Sequence, residues 1–327
     1  MSLLSVKNLR IELSTRAGVA PVIDDLSFDL AAGEAISFVG ESGCGKSMTA
    51  LGLMGLLPEG IGRIAGGSIT FDGEELTTAS EARLRAIRGN DISMIFQEPM
   101  TSLNPVYTVG EQIAEVLREH QRLSRRAAWD MAAELLDAVR IPNAARRVSD
   151  YPFQMSGGQR QRVMIAMALA CKPKILIADE PTTALDVTVQ AQIFDLLRDL
   201  RRDIGSSIIL ITHDMGAVAE MADRVIVMYA GRKAELGPVE TIISHPRHPY
   251  TKGLISCVPH IISPLTDARE ELTEVPGIVP PLGEFGADAC LFASRGAHVT
   301  DQCTSARPKP QMFEAQHEAE CWHAEDL

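Results

Sequence analysis

Along the first fifty residues the apolar positions change rhythm in a way that predicts strand, strand, strand and helix in turn. Residues 4–13 and 21–30 read as strands, the second ending in an alternation through Leu26, Phe28 and Leu30. A turn at 31–33 leads to a continuous apolar run over 35–39, the pattern of a parallel strand buried on both faces. Residues 40–45 break the run as a glycine-containing loop, and Lys46 to about Leu57 reads as a helix. Residues 99–150 are mostly helical in pattern, with faces rich in Arg and Glu around 111–140. Two further buried-strand candidates lie at 174–179 and 207–212, and the segment between them has helical spacing over 189–201. Strands alternating with helices predict an α/β fold around a parallel sheet covered on both faces. No internal repeat of fixed period interrupts this order.

Composition narrows the picture without changing it. The chain has 327 residues, 46% of them hydrophobic and 23% charged, enough to bury a full core in one large domain with an appendage or in two domains. A net charge of -12 argues against a nucleic-acid partner, whose phosphates need neutralising by Lys and Arg. No stretch approaches the roughly 18 to 20 apolar residues that span a bilayer, and the first residues carry charges where a signal peptide needs an apolar run. A cytosolic chain is expected, with any membrane work done through a partner. Six cysteines in a chain of this size read as core fillers, reactive thiols or metal ligands rather than a disulfide framework. Composition shifts near His245: seven prolines fall within 245–283, and Cys290, Cys303 and Cys321 follow. A boundary is expected near residue 250.

The chemistry begins in the loop after the first buried strand. Gly40, Glu41, Ser42, Gly43, Cys44, Gly45, Lys46 and Ser47, followed by Met48, fit the phosphate-loop pattern. Its glycines let successive backbone N–H groups turn inward on an anion, and the following helix adds the positive end of its dipole. Lys46 is expected on the β- and γ-phosphates and the Ser47 hydroxyl on Mg²⁺. Asp179 and Glu180 end the strand candidate at 174–179, where ligands of parallel sheets bind. Asp179 is expected to serve the Mg²⁺ shell and Glu180 to polarise a water as general base. Cys44, beside backbone N–H groups and Lys46, is expected to have a lowered pKa, to react with a maleimide and to be protected by MgATP. The plainer alternative is that Cys44 supplies only its backbone N–H.

Between these two sites, Met155, Ser156, Gly157, Gly158 and Gln159, followed by Arg160, Gln161 and Arg162, closely resemble the signature sequence of ABC ATPases. Gln97 stands at the Q-loop position, Ala184, Leu185 and Asp186 resemble the D-loop, and His213 follows its strand as the switch histidine does. The resemblance implies a P-loop NTPase (RecA-like) core with an antiparallel β subdomain, a helical signature subdomain at about 98–165 and a small irregular C-terminal extension. It divides the chain into an ATPase domain at 1–250 and an extension at 251–327. It implies hydrolysis of ATP with Mg²⁺ held by Ser47, Gln97 and Asp179, and catalysis by Glu180, His213 and Gln97. Two such domains would face each other, so that Ser156, Gly157, Gly158, Gln159 and Asp186 serve a nucleotide bound by the partner's phosphate loop. Many relatives stack adenine on an aromatic residue before the second strand; residues 13–20 hold none, leaving Arg16 as the stacking candidate. Modest discrimination of ATP over GTP is expected.

The segment from Phe96 and Gln97 through Asn104, Pro105, Tyr107 and Gln112 looks like the oligopeptide/dipeptide importer subfamily. So do His245, Pro246, His248, Pro249 and Tyr250, then Val258 and Pro259, and then Val275, Pro276, Gly277 and Pro280. This resemblance implies two membrane-spanning permease subunits as partners, a second related ATPase in a heterodimer favoured over a homodimer, and an external substrate-binding protein acting indirectly. It places the chain at the cytoplasmic face of the cell (inner) membrane. Nickel or another small solute is an alternative cargo; a soluble ABC ATPase of DNA repair or translation is an alternative of another class. That last reading needs a coiled-coil arm, zinc modules or a second phosphate loop, and the pattern occurs once. In the extension many relatives hold an iron–sulfur cluster on four cysteines. Cys290, Cys303 and Cys321 match three, and Gly296 stands in place of the second. Either one iron is left to water, His298 or His323, or the motif is vestigial and holds no metal.

Overall fold

The structure is a computed structural model that describes residues 2–97, 102–183, 185–257, 274–284, 288–314 and 316–326. The readings placed on Glu98 to Thr101, Ala184, Val258 and Pro259 lie outside the described residues. In chain order the described strands are β1 (Ser2–Thr15), β2 (Gly18–Ala31), β3 (Ala35–Val39), β4 (Gly62–Phe71), β5 (Glu74–Glu75), β6 (Ile92–Ile95), β7 (Ile175–Asp179), β8 (Ser207–Ile211), β9 (Arg224–Tyr229), β10 (Arg232–Pro238), β11 (Gln311–Met312) and β12 (Glu318–Ala319). They belong to two compact units. One comprises Met1–Leu4, Leu30–Ala35 and Phe71–Ile211; the other comprises Ser5–Asp29, Ile36–Thr70 and Thr212–Leu327.

The first unit is built on the parallel ladder β6-β7-β8. Every residue of β7 (ILIAD) and of β8 (SIILI) is buried, as the unbroken apolar runs of a two-sided sheet require. The same unit holds helices whose ends are written locally. Val109–Gln121 is capped by Thr108 and Arg125–Ala138 by Ser124, and they bury Ile113, Ala114 and Leu117 on one and Ala128, Ala132 and Leu136 on the other. Val187–Ile204 is capped by Asp186, buries Ile193, Phe194, Leu196 and Leu197, and stops at Gly205 with φ 77°.

In the second unit β3 runs parallel to β9, Ile36 opposite Arg224 and Val39 opposite Val227. β10 pairs antiparallel to β9, with an irregular register between Lys233 and Glu235. The C-terminal segment then adds β12 against β10 and β11 against β12. Its attachment rests on polar as well as apolar contacts. Glu235 is fully buried and accepts the Arg247 N–H at 2.6 Å, the His248 N–H at 3.0 Å and His317 Nε2 at 2.7 Å. Burial of a carboxylate costs several kcal/mol unless it is paired in this way. Val39, Val227, Tyr229, Tyr250 and Phe292 share one core, with the Tyr229 ring packed edge-on against Tyr250 and Phe292.

Several elements differ from the sequence expectation. β1 and β2 extend to a tight hairpin in which Thr15 Oγ1 donates to Gly18 O at 2.8 Å. The helix opening at Lys46 ends at Met54, three residues early, because Gly55 adopts φ 61° and its N–H turns back to Leu51 and Gly52. β4, β6, β9 and β10 are strands beyond those the hydrophobic pattern predicts.

Candidate functional site

In the second unit, β3 delivers the chain into a loop whose shape depends on three glycines at positive φ: Gly40 at 151°, Gly43 at 81° and Gly45 at 103°. A Cβ at Gly40 would collide with the Met228 carbonyl, and one at Gly45 would come within 2.5 Å of Ile23 Cδ1 and 3.0 Å of the Val22 carbonyl. The loop is therefore pressed onto β2 and β9 without any side chain to intervene. Gly45 serves as N-cap of Lys46–Met54 without a side-chain cap, and the first N–H groups of any helix have no partner within the helix itself. Such an end attracts anions. The Lys46 side chain is buried, and its Nζ donates to Gly40 O at 2.7 Å and Glu41 O at 3.0 Å. Ser42 and Gly43 are exposed at the loop tip, and Glu41, Ser47 and Met48 are half-buried.

Cys44 departs from its expectation. Its side chain is fully buried, and its carbonyl accepts the Gly231 N–H at 3.0 Å. Burial pushes the thiol up from its ordinary value, against the opposing pull of the Lys46 ammonium and nearby backbone donors. A thiolate there has no solvent and little access. The residue packs the loop, and its burial runs against the expectation of a reactive thiol.

Two residues far along the chain reach this loop, Tyr250 at the domain's end and Arg295 in the extension, which no local pattern indicated. Tyr250, fully buried in the helix Pro249–Ser256, accepts the Glu41 N–H on its hydroxyl at 2.7 Å. Arg295 grips the Glu41 carboxylate with two bonds, at 2.6 and 3.0 Å. In the same unit His213 is exposed just after β8, followed by Asp214, which caps the helix Met215–Met221. Arg16 is exposed in the β1–β2 hairpin.

In the first unit Asp179 is buried at the end of β7, and Glu180 follows it with φ 44°. A left-handed conformation in a residue with a long side chain costs free energy and turns the carboxylate out of the strand direction. Glu180 Oε2 accepts from Gln97 Nε2 at 2.9 Å and from Thr183 Oγ1 at 2.9 Å. Two candidate catalytic side chains, 83 positions apart, are thus in direct contact. Ser156 caps the helix Gly157–Leu169 through a capping box: its hydroxyl accepts the Gln159 N–H, and Gln159 Oε1 accepts the Ser156 N–H at 3.1 Å. Met155 is buried beneath this corner. A Cβ at Gly158 would meet Val189 Cγ1 at 2.8 Å, so the glycine is what allows this helix start to lie against the one capped by Asp186.

Cys290, Cys303, Cys321, Gly296, His298 and His323 line one cavity. Cys303 Sγ lies 3.6 Å from His323 Nε2, and Cys321 Sγ accepts the His323 N–H at 3.4 Å. The donor set does not fit a four-thiolate cluster. A side chain starting at Gly296 would meet Val299 Cγ2 at 3.1 Å, and burial pushes the Cys290 thiol up and that of Cys321 up to about 11. Among the described residues no three His, Cys, Asp or Glu side chains are arranged to hold a metal ion, and the cluster reading has no support here.

Comparison with known proteins agrees with this geometry. The ABC transporter family model matches residues 23–183, and the model of the oligopeptide/dipeptide transporter C-terminal region matches residues 234–303. A protein of Brucella abortus (strain 2308) named as a peptide import ATP-binding protein is 51% identical over 306 residues, covering 94% of this chain and 90% of that one. One of Brucella melitensis biotype 1 with the same name is 47% identical over 326 residues, covering 98% and 96%. Among solved structures, the ATP-binding cassette MJ0796, a dimer in a post-hydrolysis state bound to ADP and Pi, aligns with TM-score 0.64 and 29% identity over 72% of this chain and 98% of that one. The cbiO1 protein of Clostridium perfringens, part of the ABC transporter complex cbiONQ, aligns with TM-score 0.62 and 26% identity over 74% and 91%. The glycine loop with its buried lysine, the capped signature helix and these matches lead to one conclusion: the chain belongs to the ATP-binding subunits of ABC transporters, in the branch that carries the oligopeptide/dipeptide transporter C-terminal region.

Proposed function

We propose that the chain binds and hydrolyses ATP to power a membrane importer of di- and oligopeptides. The observation that carries the reading is the loop at Gly40 to Ser47, with its three positive-φ glycines, a helix start without a side-chain cap and the Lys46 ammonium held against the loop carbonyls. Lys46 exchanges its bonds to Gly40 O and Glu41 O for phosphate oxygens, a short movement for a flexible side chain. Ser42, Gly43 and Gly45 offer backbone, while the N–H groups of Glu41 and Cys44 keep the loop in shape on the Tyr250 hydroxyl and Glu41 O; Ser47, Gln97 and Asp179 serve Mg²⁺, and Met48 follows in the helix. The metal would supply charge neutralisation at the β- and γ-phosphates. Glu180 acts as general base on the attacking water; Gln97 and Thr183 hold its carboxylate in one orientation until nucleotide arrives. His213 contacts the γ-phosphate.

Ser156, Gly157, Gly158, Gln159 and Asp186 act on the nucleotide of a partner ATPase, a related chain in a heterodimer. Two permease subunits complete the importer at the cytoplasmic face of the cell membrane, with a substrate-binding protein outside. Support for a permease contact comes from the first unit. Val106, Tyr107 and Phe153 are exposed, and their segments are joined by the Val109 N–H on Asp150 O. Large apolar side chains left in water in this way are characteristic of a protein-binding surface. An ATPase domain at 1–250 and an extension at 251–327 describe this division of labour.

Equilibrium binding of MgATP to the purified chain tests the reading. Wild type is expected to bind in the micromolar to low millimolar range and Lys46→Ala to bind at least tenfold more weakly. Undiminished binding by Lys46→Ala would refute the assignment of the loop.

A further inference from the structure

The extension has a direct hold on the phosphate loop through one side chain. Arg295 lies in the turn between Cys290 and Gly296, and its side chain is only 1% exposed. Its guanidinium reaches Glu41 Oε2 at 2.6 Å through Nη1 and Glu41 Oε1 at 3.0 Å through Nη2. The remaining donors are also used: Nε on Pro276 O at 2.6 Å and Nη2 on Val275 O at 3.1 Å. The guanidinium sits over the rings of Tyr229 and Phe292, at 5.6 and 5.9 Å. Gly277, at φ 77°, leaves room for the stem, since a Cβ there would come within 3.2 Å of Arg295 Cγ. A planar fork with five donors, locked by two backbone carbonyls and two rings, is pre-organised for a carboxylate.

The target is the second residue of the loop. The Glu41 N–H is already given to Tyr250, and its carbonyl accepts from Lys46. Glu41 is thus held at its side chain, its N–H and its carbonyl at once, the first by Arg295 of the extension and the second by Tyr250 at the end of the preceding domain. Arg295 also neutralises a carboxylate that would otherwise stand, 32% exposed, on a loop that receives a triphosphate.

We propose that Arg295 is a positioning residue for nucleotide binding, which fixes and neutralises Glu41 and so makes the affinity of the phosphate loop depend on the extension. The inference rests on the proposed ATP site. It gives the extension a task in the nucleotide cycle: any event that moves the turn carrying Arg295 changes how tightly ATP is held.

The test uses the full chain, with MgATP affinity from a fluorescent nucleotide and KM and kcat from steady-state turnover. Arg295→Met is expected to raise Kd and KM for MgATP about tenfold, a 1.4 kcal/mol change, with kcat within about twofold. Arg295→Lys, which keeps the charge and loses the bidentate fork, should give an intermediate rise and covers the case in which the methionine variant does not fold. In a Glu41→Gln background the Arg295→Met change should matter by less than about threefold, because the two residues act as one pair. Arg307→Met breaks other extension contacts, to Glu320 and Asp24, and should leave KM unchanged. The proposal is overturned if Arg295→Met and Arg295→Lys leave Kd within twofold of wild type. It is equally overturned if Arg295→Met has its full effect in the Glu41→Gln background, or if Arg307→Met raises KM as much. A wild-type chain that fails to bind MgATP defeats the ATP reading itself, so the two failures are distinct.

Discussion

Replacing Glu180 by glutamine separates the structural role of this side chain from its chemical one. Both bonds from Gln97 and Thr183 fall on the same oxygen, Oε2, at 2.9 Å each. A glutamine can turn its carbonyl oxygen to that corner and keep both, since the donors are an amide and a hydroxyl. The left-handed backbone at φ 44° strains glutamine and glutamate alike. What is lost is the negative charge: bonds to an ionised acceptor are worth roughly 1.5–3 kcal/mol and neutral ones roughly 0.5–1.5. For a half-buried group open to solvent the expected loss of stability is about 1 kcal/mol, or a few degrees in Tm. The chemical loss is of another size. Removing a general base costs about 10²–10⁴ in rate, or about 3–5 kcal/mol at the transition state. Turnover of ATP by Glu180→Gln should therefore fall at least a hundredfold, while the MgATP Kd stays within about threefold and the closed dimer accumulates. Turnover, nucleotide fluorescence and size-exclusion chromatography with MgATP measure these three quantities. Turnover within threefold of wild type refutes the general-base assignment; a hundredfold loss accompanied by unfolding refutes the claim that the two bonds survive.

Two further outcomes follow from the second unit. Native protein treated with a maleimide is expected to leave Cys44 unlabelled in peptide mass spectrometry while denatured protein is labelled there; rapid native labelling would refute its burial. His248 is buried and neutral, accepting the Tyr250 N–H on Nδ1 at 3.1 Å, and burial lowers its pKa from 6.5 to about 4, with Glu235 opposing. The folded state excludes the proton that the unfolded chain binds, so this stabilisation is present above pH 6.5 and is lost as pH falls toward about 4. It amounts to about 3 kcal/mol at most. Glu320, whose pKa burial raises to about 7, contributes with opposite sign, its stabilisation being lost as pH rises from 4.5 to 7. The difference between wild type and His248→Asn isolates the first effect: it should shrink between pH 6.5 and 4.5 in thermal unfolding, and a pH-independent difference would refute it.

How much of this was legible beforehand depended on whether the determinants are close in the chain. The phosphate loop could be read because its chemistry is local: glycines set φ, and a helix start supplies N–H groups within eight consecutive residues. The capping box of Ser156 and Gln159 and the buried runs of β3, β7 and β8 are local for the same reason. β4, β6, β9 and β10 drew no expectation from the sequence. β6 has only four residues, and β4 carries three glycines, but β9 is an apolar run as clear as β7 and could have been found. The cysteine in the loop departs from its expectation because its pKa depends on burial, which neighbours in sequence do not report. Contacts over long separations had no signal of their own: Gln97 meets Glu180 across 83 positions, Tyr250 meets Glu41 across 209 and Arg295 meets it across 254. Local sequence is enough to specify which backbone can cradle a phosphate and which side chains can work beside it. Which distant residues hold that cradle is settled by folding alone, because hydrogen bonds and ion pairs act over about 3 Å of space, whatever the length of chain between their partners.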